Sequence, residues 1–101
     1  DASIGNDVTI GHGVVCHARR IGDHSLIGNG AVLNDGVEIG VWCLIAAGSV
    51  LPEKTRVPDR SIVRGVPGRV IGGIHDRHAE MIRVAGESYV ERIPRYKASG
   101  G

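Results

Sequence analysis

The stretch IGHGVVCHARRIGDHSLIGNGAV, residues 10–32, combines a six-residue repeat in its Ile-Gly steps with two histidines, His12 and His17. An aliphatic residue then recurs at every sixth position, at Ile21, Ile27, Leu33, Ile39, Ile45, Leu51, Val57 and Val63. Upstream the repeat continues through Ile4 and Ile10 and then slips once, because Ile10 and Ile21 are eleven residues apart. A period of six is wrong for a helix of 3.6 residues per turn and too regular for a sandwich. The pattern therefore predicts an all-β solenoid, a parallel β-helix of hexapeptide rungs.

The composition agrees with a narrow prism. The fourth residue after each aliphatic position from Ile21 to Val57 is small or β-branched, at Ser25, Ala31, Val37, Cys43, Ser49, Thr55 and Ser61. The chain has 16 glycines, no Phe and only 3% aromatic residues. Glycine tolerates the positive φ of tight corners, and a thin interior has no room for large rings.

Charge and length exclude several classes of protein. The 101 residues support one domain, and 12 basic against 11 acidic residues give a net charge of +1. This balance argues against nucleic acid or an anionic membrane as the main partner. We expect a cytoplasmic protein without a signal peptide or membrane span, since no apolar run reaches about 18 residues. Cys16 and Cys43 both fall on inward positions, which predicts reduced core residues.

The period changes near Gly72-Gly73, so we predict a β-helix over residues 1–71 and, over residues 72–101, a hinge, an amphipathic helix and a tail. Asp76 is the expected N-cap, and Pro94 is expected to kink or end the helix. The apolar stripe of this helix needs a flat face of the prism, its own or a neighbour's. The chain starts inside the repeat, so we expect either a fragment or a chain that covers its first coil with a partner.

Several motifs together resemble one family. They are IGHGVVCH followed by IGD, then LIGNGAVL, the DG of Asp35-Gly36, IAAGSVLPEK, SIVRGVPGRVI and the terminal SYVERIPRY. With the eleven-residue slip across the two histidines, they resemble the γ-class carbonic anhydrases and their hexapeptide-repeat relatives along essentially the whole chain. The resemblance implies a left-handed β-helix followed by a C-terminal α-helix, and a homotrimer assembled through the β-helix faces.

The resemblance also implies a metal site. The family binds zinc, for which iron or cobalt can substitute, with three histidines at the interface between subunits, and two of these positions match His12 and His17. By resemblance, His17 serves its own subunit and His12 reaches the neighbour's site. Three neutral imidazoles leave one position for a water whose pKa the zinc lowers to about 7, and the resulting hydroxide attacks CO2 to give bicarbonate. The third histidine of the family lies upstream of the position of Asp1, so the site is expected to be incomplete in this chain.

The remaining polar candidates each have a structural alternative. Asn29 faces the metal cleft or is an ordinary corner asparagine, and Tyr89 reaches the site or simply anchors the terminal helix. His24 is expected on a polar surface corner, and His75 and His78 in capping or packing at the helix start. Arg19 and Arg20 fit a solvated corner or a salt bridge between subunits, with attraction of the substrate as an alternative.

Three functions remain open. The first is a zinc lyase of the γ-carbonic anhydrase type, with CO2 and bicarbonate as its small-molecule substrates. The second is a hexapeptide acyl- or acetyltransferase that uses CoA, with one histidine as general base. The third is a non-catalytic trimeric scaffold. The GVPGRVI segment is shared by both enzyme groups and does not separate them.

Overall fold

The computed structural model describes residues 2–85, which form a parallel β-solenoid of about three turns followed by a helix over residues 76–85. Its strands are short, and most of them contain two residues. In chain order they are β1 (Ser3–Ile4), β2 (Thr9–Ile10), β3 (Val15–Cys16), β4 (Arg20–Ile21), β5 (Leu26–Ile27), β6 (Val32–Leu33), β7 (Glu38–Ile39), β8 (Leu44–Ile45), β9 (Val50–Leu51), β10 (Arg56–Val57), β11 (Ser61–Arg64) and β12 (Arg69–Gly73). The predicted class, a left-handed β-helix of hexapeptide repeats with a C-terminal helix, is confirmed.

The strands form three sheets, which are the three faces of a prism. Face 1 has the order β1-β4-β7-β10, face 2 has β12-β11-β8-β5-β2 and face 3 has β3-β6-β9. Within residues 2–85, every pairing between coils is parallel, and only the final pair, β11 with β12, is antiparallel. Each coil therefore passes three corners, here named by the faces that they join: corner 1–2, corner 2–3 and corner 3–1.

The slip in the repeat is visible as one short coil. Ile4 lies opposite Ile21, seventeen positions further on, whereas Ile21 lies opposite Ile39, eighteen positions further on. The missing residue falls at corner 3–1, between the end of β3 and the start of β4. There the backbone N–H groups of Arg19 and Arg20 both donate to the carbonyl oxygen of Val37, at 2.8 and 3.3 Å. The shortened corner thus keeps its hydrogen bonds to the next coil.

The predicted aliphatic positions form the core. Their exposed fractions are at most 5% from Ile21 through Val63, and most of the small positions are equally buried. A strand of two residues points one side chain inward and the next outward, so each rung contributes one aliphatic residue to the interior. Burying such a side chain contributes about 1.5–3 kcal/mol, and the stack accumulates this stabilisation coil by coil.

The prediction for Cys16 is corrected, whereas the one for Cys43 holds. Cys43 is fully buried, but Cys16 is exposed. Cys16 does occupy an inward position, since it lies opposite the buried Leu33. Its coil, however, supplies the edge strand of all three sheets, and Ile4 in the same coil is 51% exposed. The predicted position in the repeat is correct, and burial fails because this coil packs against a neighbour on one side only.

Strand β12 crosses the boundary that was expected between residues 71 and 72. Gly72 and Gly73, expected to form a hinge, pair with Ile62 and Ser61 across the antiparallel β11–β12 pair. The backbone hydrogen bonds of the sheet extend the β structure to this point, and the helix begins three residues later.

The helix start is capped at His75 rather than at the expected Asp76. The backbone N–H groups of His78 and Ala79 donate to the carbonyl oxygen of His75, and the His75 N–H donates to Nδ1 of His78 at 3.2 Å. This reciprocal arrangement satisfies a backbone donor in the way that a capping box does. His75 and His78 therefore cap the helix, and Asp76 is its first residue.

The helix lies against the prism of its own chain. Ile74 and Ile82 are buried, and Met81 and Ala85 line a cleft together with residues of face 2. The predicted features beyond residue 85, including Tyr89 and Pro94, lie outside the described residues. Within residues 2–85, no helix combines the length and the apolar character that crossing a membrane requires.

Candidate metal site at two corners of the prism

His12 lies at corner 2–3, directly after β2, and its side chain is exposed. The backbone holds this corner on both sides, because the N–H of His12 donates to Oδ1 of Asn29 at 2.7 Å and its carbonyl accepts from Gly30 at 2.8 Å. Gly13 follows with φ of 68°, a conformation that glycine adopts without strain. The imidazole therefore projects from a rigid backbone.

Asn29 belongs to the scaffold of this corner. Its side-chain oxygen accepts from His12, as the carboxylate of Asp23 accepts from Asn6 at 2.8 Å and that of Asp59 from Val41 at 2.9 Å. These three side chains have the same structural role, because each caps an N–H of the preceding coil at a corner. The contacts thus support the interpretation of Asn29 as a corner asparagine, although it also lines the cleft beneath the helix.

The close approach of Asn29 explains the Ile-Gly step before His12. A Cβ placed on Gly11 would lie 2.8 Å from the backbone nitrogen of Asn29, a separation that real Cβ atoms do not reach. Gly5 and Gly40 meet Asp23 and Asp59 in the same way, at 2.8 and 2.7 Å from the backbone nitrogens. Glycine is therefore needed here for close packing of neighbouring coils, even though the residue does not have a positive φ.

His17 lies one corner further along, at corner 3–1, directly after β3. Its backbone N–H donates to the carbonyl of Leu33 at 2.8 Å, and its Nδ1 lies 3.6 Å from Oδ1 of Asp35. Both side chains are open to solvent, with exposed fractions of 63% for His17 and 79% for Asp35. The carboxylate comes from the equivalent corner of the next coil. There Gly36 directly follows Asp35 and has φ of 77°.

The two histidines do not meet within one chain. They flank the two ends of β3, one at each corner of face 3. No group of three His, Cys, Asp or Glu side chains within residues 2–85 is arranged to hold a metal ion. A metal bound by His12 or His17 therefore requires ligands from elsewhere, such as a second copy of the chain.

The residues themselves suit a metal ligand role. Ligating histidines generally donate their second ring N–H to a carboxylate, a carbonyl or a water, and the Asp35 carboxylate faces Nδ1 of His17 in this manner. Both residues lie at exposed corners of the prism. The two side chains thus fit a zinc site that is shared between chains, and within residues 2–85 no third ligand completes a site in one chain.

Among the other polar candidates, His24 has a structural partner. The ring of His24 stacks on Trp42, with centroids 4.6 Å apart. Arg19 and Arg20 are exposed beside the shortened corner, and Arg20 lies on face 1 opposite Glu38. On the same face, the guanidinium of Arg56 binds Glu38, with Nε 3.0 Å from Oε2. Tyr89 lies outside the described residues.

A cleft of about 410 Å³ beneath the helix was not expected from the sequence. Met81 and Ala85 form its helix side, and Leu26 and Leu44 are among the face 2 residues that line it. Gly11 and Asn29 also line it, so the cleft lies next to the corner of His12. The pairs Leu26-Ile27 and Leu44-Ile45 could have indicated this cleft. Both residues of each pair are apolar, so the outward-facing leucine needs another element to shield it from water.

Comparison with known proteins identifies the repeat. Residues 20–53 match the family model described as bacterial transferase hexapeptide (six repeats). The chain is 35% identical over 86 residues to the mitochondrial gamma carbonic anhydrase 1 of Arabidopsis thaliana, covering 85% of this chain and 31% of that protein. It is 33% identical over 117 residues to the serine acetyltransferase of Mycobacterium tuberculosis, covering 99% of this chain and 50% of that protein.

A solved structure gives the same fold. A crystal structure from Bacillus cereus, provisionally described as an acetyltransferase, superposes with a TM-score of 0.82 at 28% identity, covering 96% of this chain and 62% of that chain. The chain spans half or less of the length of the two curated relatives above. The repeat, the fold and these relatives agree: residues 20–53 carry the hexapeptide repeat, and the chain fits a γ-carbonic anhydrase-like hexapeptide-repeat protein.

Proposed function

We propose that the chain is the β-helix part of a γ-carbonic anhydrase-like enzyme that interconverts CO2 and bicarbonate at a zinc site shared between subunits. The observation that carries the proposal is the placement of His12 and His17 at the two exposed corners of a single face. The similarity to a plant γ-carbonic anhydrase supports it. A third ligand has to come from beyond residues 2–85, and this chain covers 31% of that relative.

Face 3, which lies between the two histidine corners, is suited to contact with another subunit. Its outward residues are Val15, Val32 and Val50, and Val15 is 46% exposed. Face 1 instead presents charged side chains such as Arg20 and Glu38, and the helix lies over face 2. An apolar face bounded by two potential ligands favours a homotrimer in which neighbouring prisms bring His17 of one chain toward His12 of the next.

The contribution of the chain to the chemistry is to position the imidazoles. Bound zinc would supply a water that ionises near neutral pH and acts as the nucleophile. The short corner at His17 and the Asn29 cap at His12 fix the backbone of the two ligands. Fixed ligands keep the site organised without the entropy cost of ordering them when the metal binds.

The first experiment measures zinc per chain by elemental analysis, together with the mass of the assembly in solution. About one zinc per chain in a trimer is expected, and His12→Ala or His17→Ala should abolish most of it. The matched control is His24→Asn, at a half-buried corner position away from face 3. Parent trimers that carry less than about a tenth of a zinc per chain would reject the proposal. CO2 hydration is assayed on protein that binds zinc.

Sharing of the site has its own test. When His12→Ala and His17→Ala chains are co-expressed and mix at random, about one interface in four pairs an intact His17 with an intact His12. We expect about a quarter of the parent's zinc to return. If each site lay within one chain, the mixture would bind as little zinc as either variant alone.

The second candidate is a CoA-dependent acetyltransferase. The serine acetyltransferase relative, at 33% identity, and the B. cereus structure favour it specifically. In this proposal one corner histidine acts as general base on an acceptor hydroxyl or amine. A rise in the unfolding temperature with CoA but not with zinc would favour the transferase. A trimer that is stabilised by neither would favour the non-catalytic scaffold.

A further inference from the structure

We propose that Asp35 is a positioning residue that fixes the ring orientation and tautomer of His17 for metal binding. The inference rests on the proposed function, and it adds Asp35 to the residues of the proposed site, which are otherwise His12 and His17. Asp35 does not itself contact the metal in this proposal. It acts by holding the proton of His17 on Nδ1, so that the lone pair lies on Nε2.

The first support is geometric. Oδ1 of Asp35 lies 3.6 Å from Nδ1 of His17, although the two residues are eighteen positions apart in sequence and in different coils. Within residues 2–85, His17 is the only ion-pair or hydrogen-bond partner that the structure gives this carboxylate. The backbone of Asp35 has a separate role, since its carbonyl accepts from the N–H of Lys54 at 2.9 Å. The side chain takes no part in this backbone hydrogen bond.

The second support comes from the neighbouring side chain. Asn34 occupies the register position of His17 in the next coil, but its amide donates to the carbonyl of Leu51 at 2.9 Å. Asn34 thus points toward the following coil, and Asp35 is the polar side chain of this turn that faces His17. The shortened corner after β3 contributes to this pairing, because it places His17 opposite the full-length turn Asn34-Asp35-Gly36 of the next coil.

The chemistry of the pair explains the expected effect. A neutral imidazole carries its proton on one nitrogen only, and a carboxylate beside Nδ1 favours the tautomer with the proton there. Nε2 is then the nitrogen that can bind a metal. Residues in this position typically change metal affinity by about 10- to 100-fold when they are replaced. The 3.6 Å separation is slightly longer than a hydrogen bond, and a small rotation of the exposed ring would bring the two atoms within hydrogen-bonding distance.

The test combines two readouts. The first is the tautomer of His17 in metal-free protein, read from long-range ¹H–¹⁵N spectra at a pH where the imidazole is neutral. The second is the zinc dissociation constant, measured by competition with a chelator. Asp35→Ala removes the acceptor, whereas Asp35→Asn keeps an oxygen without the charge. Glu53→Gln is the matched control, because Glu53 occupies the same exposed turn position one coil further along.

In the parent protein and in Glu53→Gln, we expect the Nδ1–H tautomer and the same zinc affinity. Asp35→Ala should shift the population toward the Nε2–H tautomer and weaken zinc binding about 10-fold or more, and Asp35→Asn should fall between them. Backbone amide spectra confirm that each variant is folded.

Three adverse outcomes are distinguishable. If the parent binds zinc and Asp35→Ala retains both the parent's tautomer and its affinity, the role of Asp35 is rejected and the proposed function stands. If neither the parent nor any variant binds zinc, the proposed function fails and the metal role of Asp35 fails with it. A tautomer shift without a change in zinc affinity would also overturn the positioning role.

Discussion

The imidazole of His24 stacks on the indole of Trp42, with ring centroids 4.6 Å apart and ring planes inclined by 21°. The two residues occupy equivalent places at corner 1–2 in successive coils, and both have positive φ, 62° and 53°. Asp7 holds the same place one coil earlier, with φ of 56° and its Oδ2 3.8 Å from Nδ1 of His24. Side chains thus continue the coil-to-coil stacking along an edge where the backbone is in the left-handed region.

Replacing His24 by Asn should alter the environment of Trp42, the only tryptophan of the chain. Asn tolerates the positive φ, so the change mainly removes the ring that covers one side of the indole. We expect emission at longer wavelength and a loss of about 0.5–1.5 kcal/mol in the free energy of unfolding. Fluorescence and urea unfolding measure the two effects. His17→Asn in metal-free protein is the control, and identical spectra for parent and His24→Asn would contradict the stack.

Asn29 allows its corner role to be separated from a role at the metal. Asn29→Asp keeps an oxygen that accepts from the N–H of His12, as Asp23 and Asp59 do at their corners, so stability should change by less than about 0.5 kcal/mol. Asn29→Ala leaves that N–H without its acceptor and should cost about 1–2 kcal/mol. Chemical unfolding of both variants is the measurement. Equal costs would show that the corner does not depend on this acceptor.

The two thiols should differ in reactivity. Cys16 is exposed, whereas Cys43 is fully buried, and its Sγ donates to the carbonyl oxygen of Pro58 at 3.1 Å. Burial raises the pKa of the Cys43 thiol, with the nearby Asp59 charge adding to the effect, and backbone and Ser25 hydrogen bonds only partly oppose it. The reactive form is the thiolate, so we expect one fast-reacting thiol with a chromogenic disulfide reagent and a second one only after unfolding. Cys16→Ser should remove the fast phase. A fast phase that persists would contradict the burial of Cys43.

The raised pKa of Cys43 also predicts an alkaline dependence of stability. Its pKa in the unfolded chain is near the ordinary 9.0, and in the folded protein it is higher. The contribution to stability is therefore complete below about pH 9 and is lost as the pH rises toward the folded value, because the unfolded state releases its proton first. Urea unfolding between about pH 7 and about pH 10 should show a decline that is shallower in Cys43→Ala. Parallel pH profiles would contradict this linkage.

The sequence was most informative where the repeat acts locally. The inward position of each aliphatic residue from Ile21 to Val63 follows from the period alone, since every coil presents the same register to the next. The slip was also readable, because a deletion of one residue has to fall at a corner rather than within a two-residue strand. These features depend on neighbours that lie one coil away, at a fixed distance in sequence.

The errors concern contacts that the period does not determine. The burial of Cys16 depends on what covers its coil, and its place in the repeat carries no information about that cover. The N-cap is His75 rather than the predicted Asp76, because Nδ1 of His78 accepts a hydrogen bond from the backbone N–H of His75. Neither helical periodicity nor N-cap preference predicts this contact. The metal site involves a partner chain in the proposed function, so the sequence of one chain could indicate ligands without indicating how they meet.

The uneven burial along the stack gives the final prediction. Ile45 and Ile4 both point inward, but Ile45 lies in a central strand and is fully buried, whereas Ile4 lies in an edge strand and is 51% exposed. Ile45→Ala should cost about 2–5 kcal/mol, because it removes buried methylene groups and leaves a cavity in a narrow interior. Ile4→Ala should cost less than half as much, since its site already contacts water. Equilibrium unfolding of both variants at matched protein concentration is the measurement. Equal costs would mean that in solution the interior of the first coil is covered as well as the middle of the stack.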